Sequence, residues 1–160
     1  KKMEEKFMKY AIAEAKKAYE KLEVPIGAVI VKDGKIIARA HNLRETKKQA
    51  CAHAEILAIE KACKKLGAWR LENCEMYITL EPCAMCAGAI INSRIKKIYI
   101  GAMDPKGGAV GSKINLLKDI KLNHETEIQY GVCSEECSKL LKDFFKELRK
   151  GEKFDKKQKS

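Results

Sequence analysis

Two short runs of this chain have to meet in space, and no other feature constrains its fold as much. They are Ala52-His53-Ala54-Glu55 and Glu81-Pro82-Cys83-Ala84-Met85-Cys86, which read H-x-E followed by P-C-x-x-C. One imidazole and two thiolates can hold a zinc ion, one ligand short of the closed tetrahedron of a structural site. The missing ligand leaves a position for water. Glu55, two positions from His53, is a poor ligand and a good base beside that water. The chemistry this pattern points to is hydrolytic attack on carbon.

The pattern between the runs explains how they meet. His53 to Leu66 reads as a helix, closed by Gly67. Cys74 to Leu80 reads as a strand. Such a helix is about 21 Å long, and such a strand about 23 Å. The chain therefore runs down the helix and back up a strand of matching length. His53 and Cys83 return to the same end of a sheet, outside the strands' carboxyl ends, where open α/β sheets place ligands. Pro82 suits the entrance of a second helix over Cys83 to about Asn92. Both runs then sit at helix N-termini, whose free N–H groups favour anions. Cys83 and Cys86 share a helix face, and His53 is placed to act as a cap residue.

The remaining patterns complete an α/β order. Met3, Phe7, Ala11, Ala15, Ala18 and Leu22 recur at three and four positions, the stripe of an amphipathic helix. It should end before Pro25. Ile26 to Lys32 and Lys35 to Ala40 flank Asp33-Gly34, a strong hairpin signal. Residues 41–52 read as a polar loop. Ile95 to Ile100 is a core strand, and 101–111 a long loop with four glycines and a proline. Residues 112–122 are ambiguous between loop and short helix, and Glu127 to Val132 is a weak strand. Ser134-Glu135-Glu136 opens a last helix with a capping residue and acids. Leu140, Leu141, Phe144, Phe145 and Leu148 are assigned to its core face. Alternating helices and strands of this kind imply helices on both faces of one mixed sheet.

At 160 residues the chain fits one domain, assigned to 1–150, with 151–160 a lysine-rich tail expected to lack order. The net charge of +11 points to a polyanion, most plausibly nucleic acid; the plain alternative is a solvated lysine-rich surface. No stretch approaches the roughly 18 apolar residues of a membrane span. Lys1-Lys2-Met3-Glu4-Glu5 has no apolar signal region. Seven cysteines, an odd number, argue against a disulfide framework, and a reducing cytoplasm fits.

Other candidates read more plainly. Cys51 precedes the helix and is an incidental or buried thiol. Cys63, Cys74, Cys133 and Cys137 fit packing. His41 could be a ligand or an RNA contact, and His124 is assigned to the surface. Asn42 and Asp104 are by themselves turn residues, and Trp69 an anchor packed under a loop.

Longer stretches carry a resemblance. They are 24–29 (VPIGAV), 53–56 (HAEI), 79–90 (TLEPCAMCAGAI), 101–112 (GAMDPKGGAVGS) and Glu136-Cys137 through Phe144-Phe145. Over about residues 4–148 the chain resembles the bacterial tRNA-specific adenosine deaminases, zinc enzymes of the cytidine deaminase superfamily. The resemblance implies a three-layer α/β/α domain with a five-stranded mixed sheet, and a homodimer with one zinc per subunit. It implies conversion of adenosine to inosine at the wobble position of a tRNA anticodon, usually of an arginine tRNA. By position, His53, Cys83 and Cys86 match the zinc ligands and Glu55 the proton shuttle. Asn42 matches a contact to the target base, Ala54 a backbone N–H facing it, and Asp104 a loop residue at the RNA backbone. Two other readings stand beside this one: a guanine or cytosine deaminase acting on free bases, and a non-catalytic zinc subunit that binds RNA.

Overall fold

The computed structural model describes residues 2–159, with side chains described for 2–151. The elements are α1 (Lys2–Glu20), β1 (Gly27–Lys32), β2 (Lys35–His41), α2 (Arg44–Lys47), α3 (Ala54–Leu66), β3 (Cys74–Leu80), α4 (Ala84–Asn92), β4 (Lys97–Ala102), β5 (Glu127–Gln129) and α5 (Ser134–Lys159).

The sheet has the order β2-β1-β3-β4-β5. β1 pairs antiparallel with β2 and with β3, while β3–β4 and β4–β5 are parallel. The Asp33-Gly34 hairpin forms as the sequence predicts. Lys32 pairs with Lys35, and both turn residues have positive φ, 51° and 75°, as a tight two-residue turn requires. The parallel β3–β4 pair needs a crossover, and α4 provides it.

The pleat divides the core in two. Ala28, Ile30, Met76, Ile78, Ile98 and Ile100 face α3 and α4. Val29, Val31, Tyr77 and Tyr99 face the other way, against Phe7, Met8, Ala11 and Ile12 of α1 and Cys137 of α5. Each strand therefore alternates between two buried faces, which is what helices on both sides of a sheet demand. This is the expected three-layer α/β/α architecture with a five-stranded mixed sheet. On α3 the fully buried stripe is Ala54, Ala58 and Ala62, so small side chains set the helix close to β1 and β2, while Ile56, Leu57 and Ile59 are only half-buried. On the opposite face Tyr77 and Tyr99 stack at 4.2 Å, and Phe7 tilts onto Tyr77 at 5.4 Å.

The structure departs from the sequence pattern at several places. The 41–52 stretch contains the short helix α2. Residues 112–122 form turns and one bridge, Val110 to Asn115, without a helix. β5 is shorter than the 127–132 run, and α5 is described as helix to Lys159, through most of the stretch read as a tail. Lysine, glutamate and glutamine are good helix formers, and the packed turns of α5 supply the nucleus that an isolated segment lacks. Phe144 of α5 is buried, but Phe145 and Leu148 are exposed at 40% and 45% rather than in the core. Trp69 is 57% exposed, with Arg70 and Arg94 against its ring, rather than packed under a loop. Among the described residues no helix is long and apolar enough to cross a membrane.

Candidate metal centre and active site

His53 is the N-cap residue of α3, with extended backbone (φ −80°, ψ 154°). Cys83 occupies the same position on α4 (φ −76°, ψ 177°). Each leaves its side chain free of capping bonds, so both are available at the head of a helix. His53 Nδ1 lies 3.7 Å from Cys83 Sγ and 3.6 Å from Cys86 Sγ. The three donor atoms all lie within 4.8 Å of one another. Zn–S bonds of about 2.3 Å and Zn–N bonds of about 2.0–2.1 Å at tetrahedral angles place nitrogen and sulfur about 3.6 Å apart. The spacing and the soft donor set fit a zinc ion. Cys51 is exposed and outside the group, and all seven cysteines are free thiols.

The charges of the three groups are interlinked. Cys83 is pulled down to about 4, first by the hydrogen bond from the Cys86 thiol and then by His53. Cys86, which donates that bond, is pushed up, by the same bond and by burial. His53 is raised, chiefly by its hydrogen bond with Cys83. A divalent cation would replace the positive charge and proton that this cluster now shares. Glu55, one residue into α3, is buried at 4% exposure. Burial pushes its carboxyl up to about 7, with the negative charge of Cys83 adding to the shift. The first-turn amides of α3, that of Ala54 among them, have no acceptor within the helix.

His53 brings one edge of the group to a cavity of about 670 Å³. His53, Asn42, Arg44, Asp104, Phe145 and Arg149 are among the residues lining it. Asn42 is buried and partly committed: its Oδ1 accepts from Arg44 N–H at 3.1 Å and its Nδ2 donates to Val24 C=O at 3.3 Å. One amide hydrogen and one lone pair remain for a ligand. Asp104 also does local work, its Oδ1 accepting from the Lys106 and Gly107 amides at 3.2 Å each. Both are thus turn-forming residues and pocket residues at once.

His41 is occupied elsewhere, its Nδ1 2.9 Å from Glu14 Oε1 and its Nε2 3.0 Å from Lys21 Nζ. His124 Nε2 lies 2.7 Å from Ile95 C=O, half-buried. Neither joins the metal group.

The fold and this centre have known relatives. A family model described as MafB19-like deaminase matches residues 2–149. The tRNA-specific adenosine deaminase of Bacillus subtilis (strain 168) is 59% identical over 150 residues, 94% of this chain and 93% of the relative. The chain belongs to the tRNA-specific adenosine deaminase family. The enzyme of that name from Aquifex aeolicus (strain VF5) is 52% identical over 145 residues, 91% of this chain and 95% of the relative. A structure solved in a study of A-to-I editing by tRNA:A34 deaminases superposes with a TM-score of 0.82. It is 45% identical and covers 85% of this chain and 99% of the other.

Sequence reasoning missed two kinds of residue near this centre. Arg44, Lys142, Phe145 and Arg149 line the cavity from α2 and α5, and only the exposure of an apolar and basic helix end could have signalled them. Glu23 and Glu81 are buried acids outside the metal group. Glu23 stands two positions before Pro25 and Glu81 immediately before Pro82, and nothing in the local sequence marks either as a buried acceptor.

Proposed function

We propose that this chain hydrolyses adenosine to inosine at the wobble position, 34, of a tRNA anticodon, with release of ammonia. The observation that carries the reading is the convergence of His53, Cys83 and Cys86 beside buried Glu55, with His53 lining a cavity that several cations also line. His53 Nδ1 and the two sulfurs would hold one zinc ion. Bound there, zinc supplies Lewis acidity that lowers the pKa of a coordinated water toward about 7. Glu55 accepts the proton of the attacking water and delivers it to N1 of adenine, and a second transfer through Glu55 lets the amine leave C6 as ammonia. Its burial keeps bulk water from competing for that proton.

The substrate enters from the cavity. Asn42 offers its remaining amide hydrogen and lone pair to the base, and the Ala54 N–H is an available donor at the head of α3. Arg44, Lys106, Lys142 and Arg149 are among the residues lining the cavity, a charge pattern suited to phosphates. An anticodon loop presents bases that are already largely unstacked, so extrusion costs little. Which tRNA is used, with an arginine tRNA as the expectation, rests on the resemblance, as does the homodimer. Half-buried apolar side chains on α3 and α4, Ile56 and Met85 among them, support a subunit contact. The cytoplasm is where such a substrate resides.

Incubation with a tRNA pool followed by mass spectrometry tests the reading. Inosine at position 34 is the expected result. Turnover of free guanine or cytosine without inosine formation would replace it with the free-base reading, and zinc-dependent RNA binding without ammonia release with the non-catalytic one.

A further inference from the structure

Glu81 is only 2% exposed, and the chain wraps a whole loop around its carboxylate. Oε1 accepts the Asp104 N–H at 2.9 Å, and also the Ser112 hydroxyl. Oε2 accepts the Val110 N–H at 3.0 Å and the Ser112 N–H at 2.9 Å. A methyl group on Gly108 would lie 2.2 Å from the Glu81 carboxyl carbon, so the loop closes over the carboxylate with no room for a side chain. The main chain of the same short stretch adds two bonds, Glu81 N–H to Ala102 C=O and Ala109 N–H to Pro82 C=O, both 2.8 Å.

These contacts tie together two things. On one side is the Glu81-Pro82-Cys83 turn, which delivers a thiolate to the metal centre. On the other is the 103–112 loop, which contributes Met103, Asp104, Pro105 and Lys106 to the cavity wall. Both feet of the loop, at Asp104 and at 110–112, are fixed on one carboxylate group. All four donors are neutral, so among the described residues no ion pair compensates the buried charge. An uncompensated buried carboxylate is an expensive way to order a loop unless its many acceptor sites are needed at one point. Of the ordinary side chains, a carboxylate accepts most bonds in so small a volume. A glutamine would keep one acceptor oxygen and turn an NH2 toward the donors.

We propose that Glu81 is a positioning residue for the substrate, preforming the 103–112 wall so that Asp104 and Lys106 meet the RNA backbone at a fixed distance from the metal centre. This rests on the deaminase reading above. Preformation spares the enzyme the entropy of ordering the loop during binding, so its loss belongs to KM more than to kcat.

Glu81→Gln, with zinc loaded, is compared with the unaltered chain on an RNA anticodon stem-loop. Zinc stoichiometry should stay at the unaltered level, and kcat/KM should fall about 10- to 100-fold, mostly through a higher KM. Amide hydrogen exchange at Asp104, Val110 and Ser112 should accelerate, a readout that does not depend on turnover. Gly108→Ala reaches the same loop from its other side and should raise KM in the same way. Unchanged KM and unchanged exchange in Glu81→Gln would overturn the proposal. So would loss of zinc from it, since Glu81 would then serve the metal turn and not the loop. Should Glu81→Gln fail to fold, Gly108→Ala decides: a raised KM supports the proposal and an unchanged one overturns it. Failure of the unaltered chain to form inosine would instead remove the deaminase reading, while the exchange result would still report whether Glu81 orders the loop.

Discussion

His53 Nδ1 stands 3.6 Å from Cys86 Sγ, although 33 positions of sequence separate the two residues. Cys83 Sγ lies at 3.7 Å from the same nitrogen. A helix running one way and a strand returning over the same distance bring these atoms together, and a metal ion would lock the two helix heads to each other.

Removing one of these donors should therefore cost both metal and stability. Cys83→Ala or Cys86→Ala is expected to lower bound zinc from one per chain to near none. A ligand present at 1,000 times its dissociation constant stabilises by about 4 kcal/mol, so the melting temperature should drop by many degrees. Cys51→Ala, altering an exposed thiol outside the group, should change neither. Zinc analysis with thermal unfolding checks this, and a Cys51 variant that loses zinc while Cys86→Ala keeps it would show the wrong thiols have been chosen.

Glu55 separates ligation from proton transfer. Glu55→Gln keeps the volume and buried position of the side chain and removes only its capacity to carry a proton. Zinc content should be unchanged, and inosine formation should fall by about 10⁴ or more, the upper end for a general acid–base group. Near-normal turnover would assign the proton transfers to another residue.

The convergence of His53 with Cys83 and Cys86, and the hairpin, were legible in the sequence because each depends on local pattern. Asp33-Gly34 dictates its own turn, and an N-cap position followed by a helix fixes where His53 and Cys83 stand. β3 was readable to its ends because Cys74 to Leu80, interrupted only by Glu75, is an apolar and β-branched run that is mostly buried. Helical periodicity identifies an apolar stripe without saying what lies against it: Phe145 lines the cavity and Leu148 is exposed, and neither is in the core. Trp69 was misplaced for a related reason: a tryptophan can be held from above by arginines as well as from below by a core. Glu23 and Glu81 were invisible because the amides they bind come from 22 to 31 positions away. Only the finished fold brings those donors to one point.

Glu23 gives a test of stability against pH. It is 1% exposed, and its carboxylate accepts the Glu45 and Thr46 amides at 3.1 and 2.6 Å, holding the segment that carries Asn42 and Arg44. Burial alone would raise its pKa, but the hydrogen bonds from Thr46 and Glu45 outweigh it and hold the carboxyl below its ordinary value. A group depressed in the folded state stabilises above its unfolded pKa, about 4.3 for glutamate. That stabilisation is lost as the pH falls through the folded value. Glu23→Gln should thus cost about 1.5–3 kcal/mol at pH 7, the range for hydrogen bonds to a charged group. The gap from the unaltered chain should narrow as the pH drops below 4. Denaturant unfolding at stepped pH measures it, and a gap that widens on acidification would mean Glu23 is protonated in the native fold.

Asp104 offers the sharpest separation of an RNA substrate from a free base. Its Oδ1 is committed to the Lys106 and Gly107 amides, and Oδ2 takes no part in those bonds. A carboxylate oxygen beside an RNA backbone is electrostatically unfavourable unless it accepts a hydrogen bond, and the ribose 2′-OH is the natural donor. Asp104→Asn can keep the turn, because asparagine forms the same side-chain-to-backbone bonds. The second atom changes from an acceptor to a donor. Zinc content and melting temperature should hold, while the preference for RNA over DNA of the same stem-loop sequence falls by roughly tenfold, the worth of about one good hydrogen bond. kcat/KM on matched RNA and DNA stem-loops, for both proteins, is the measurement. An unchanged ratio would leave Asp104 as the residue that makes the loop turn and nothing more.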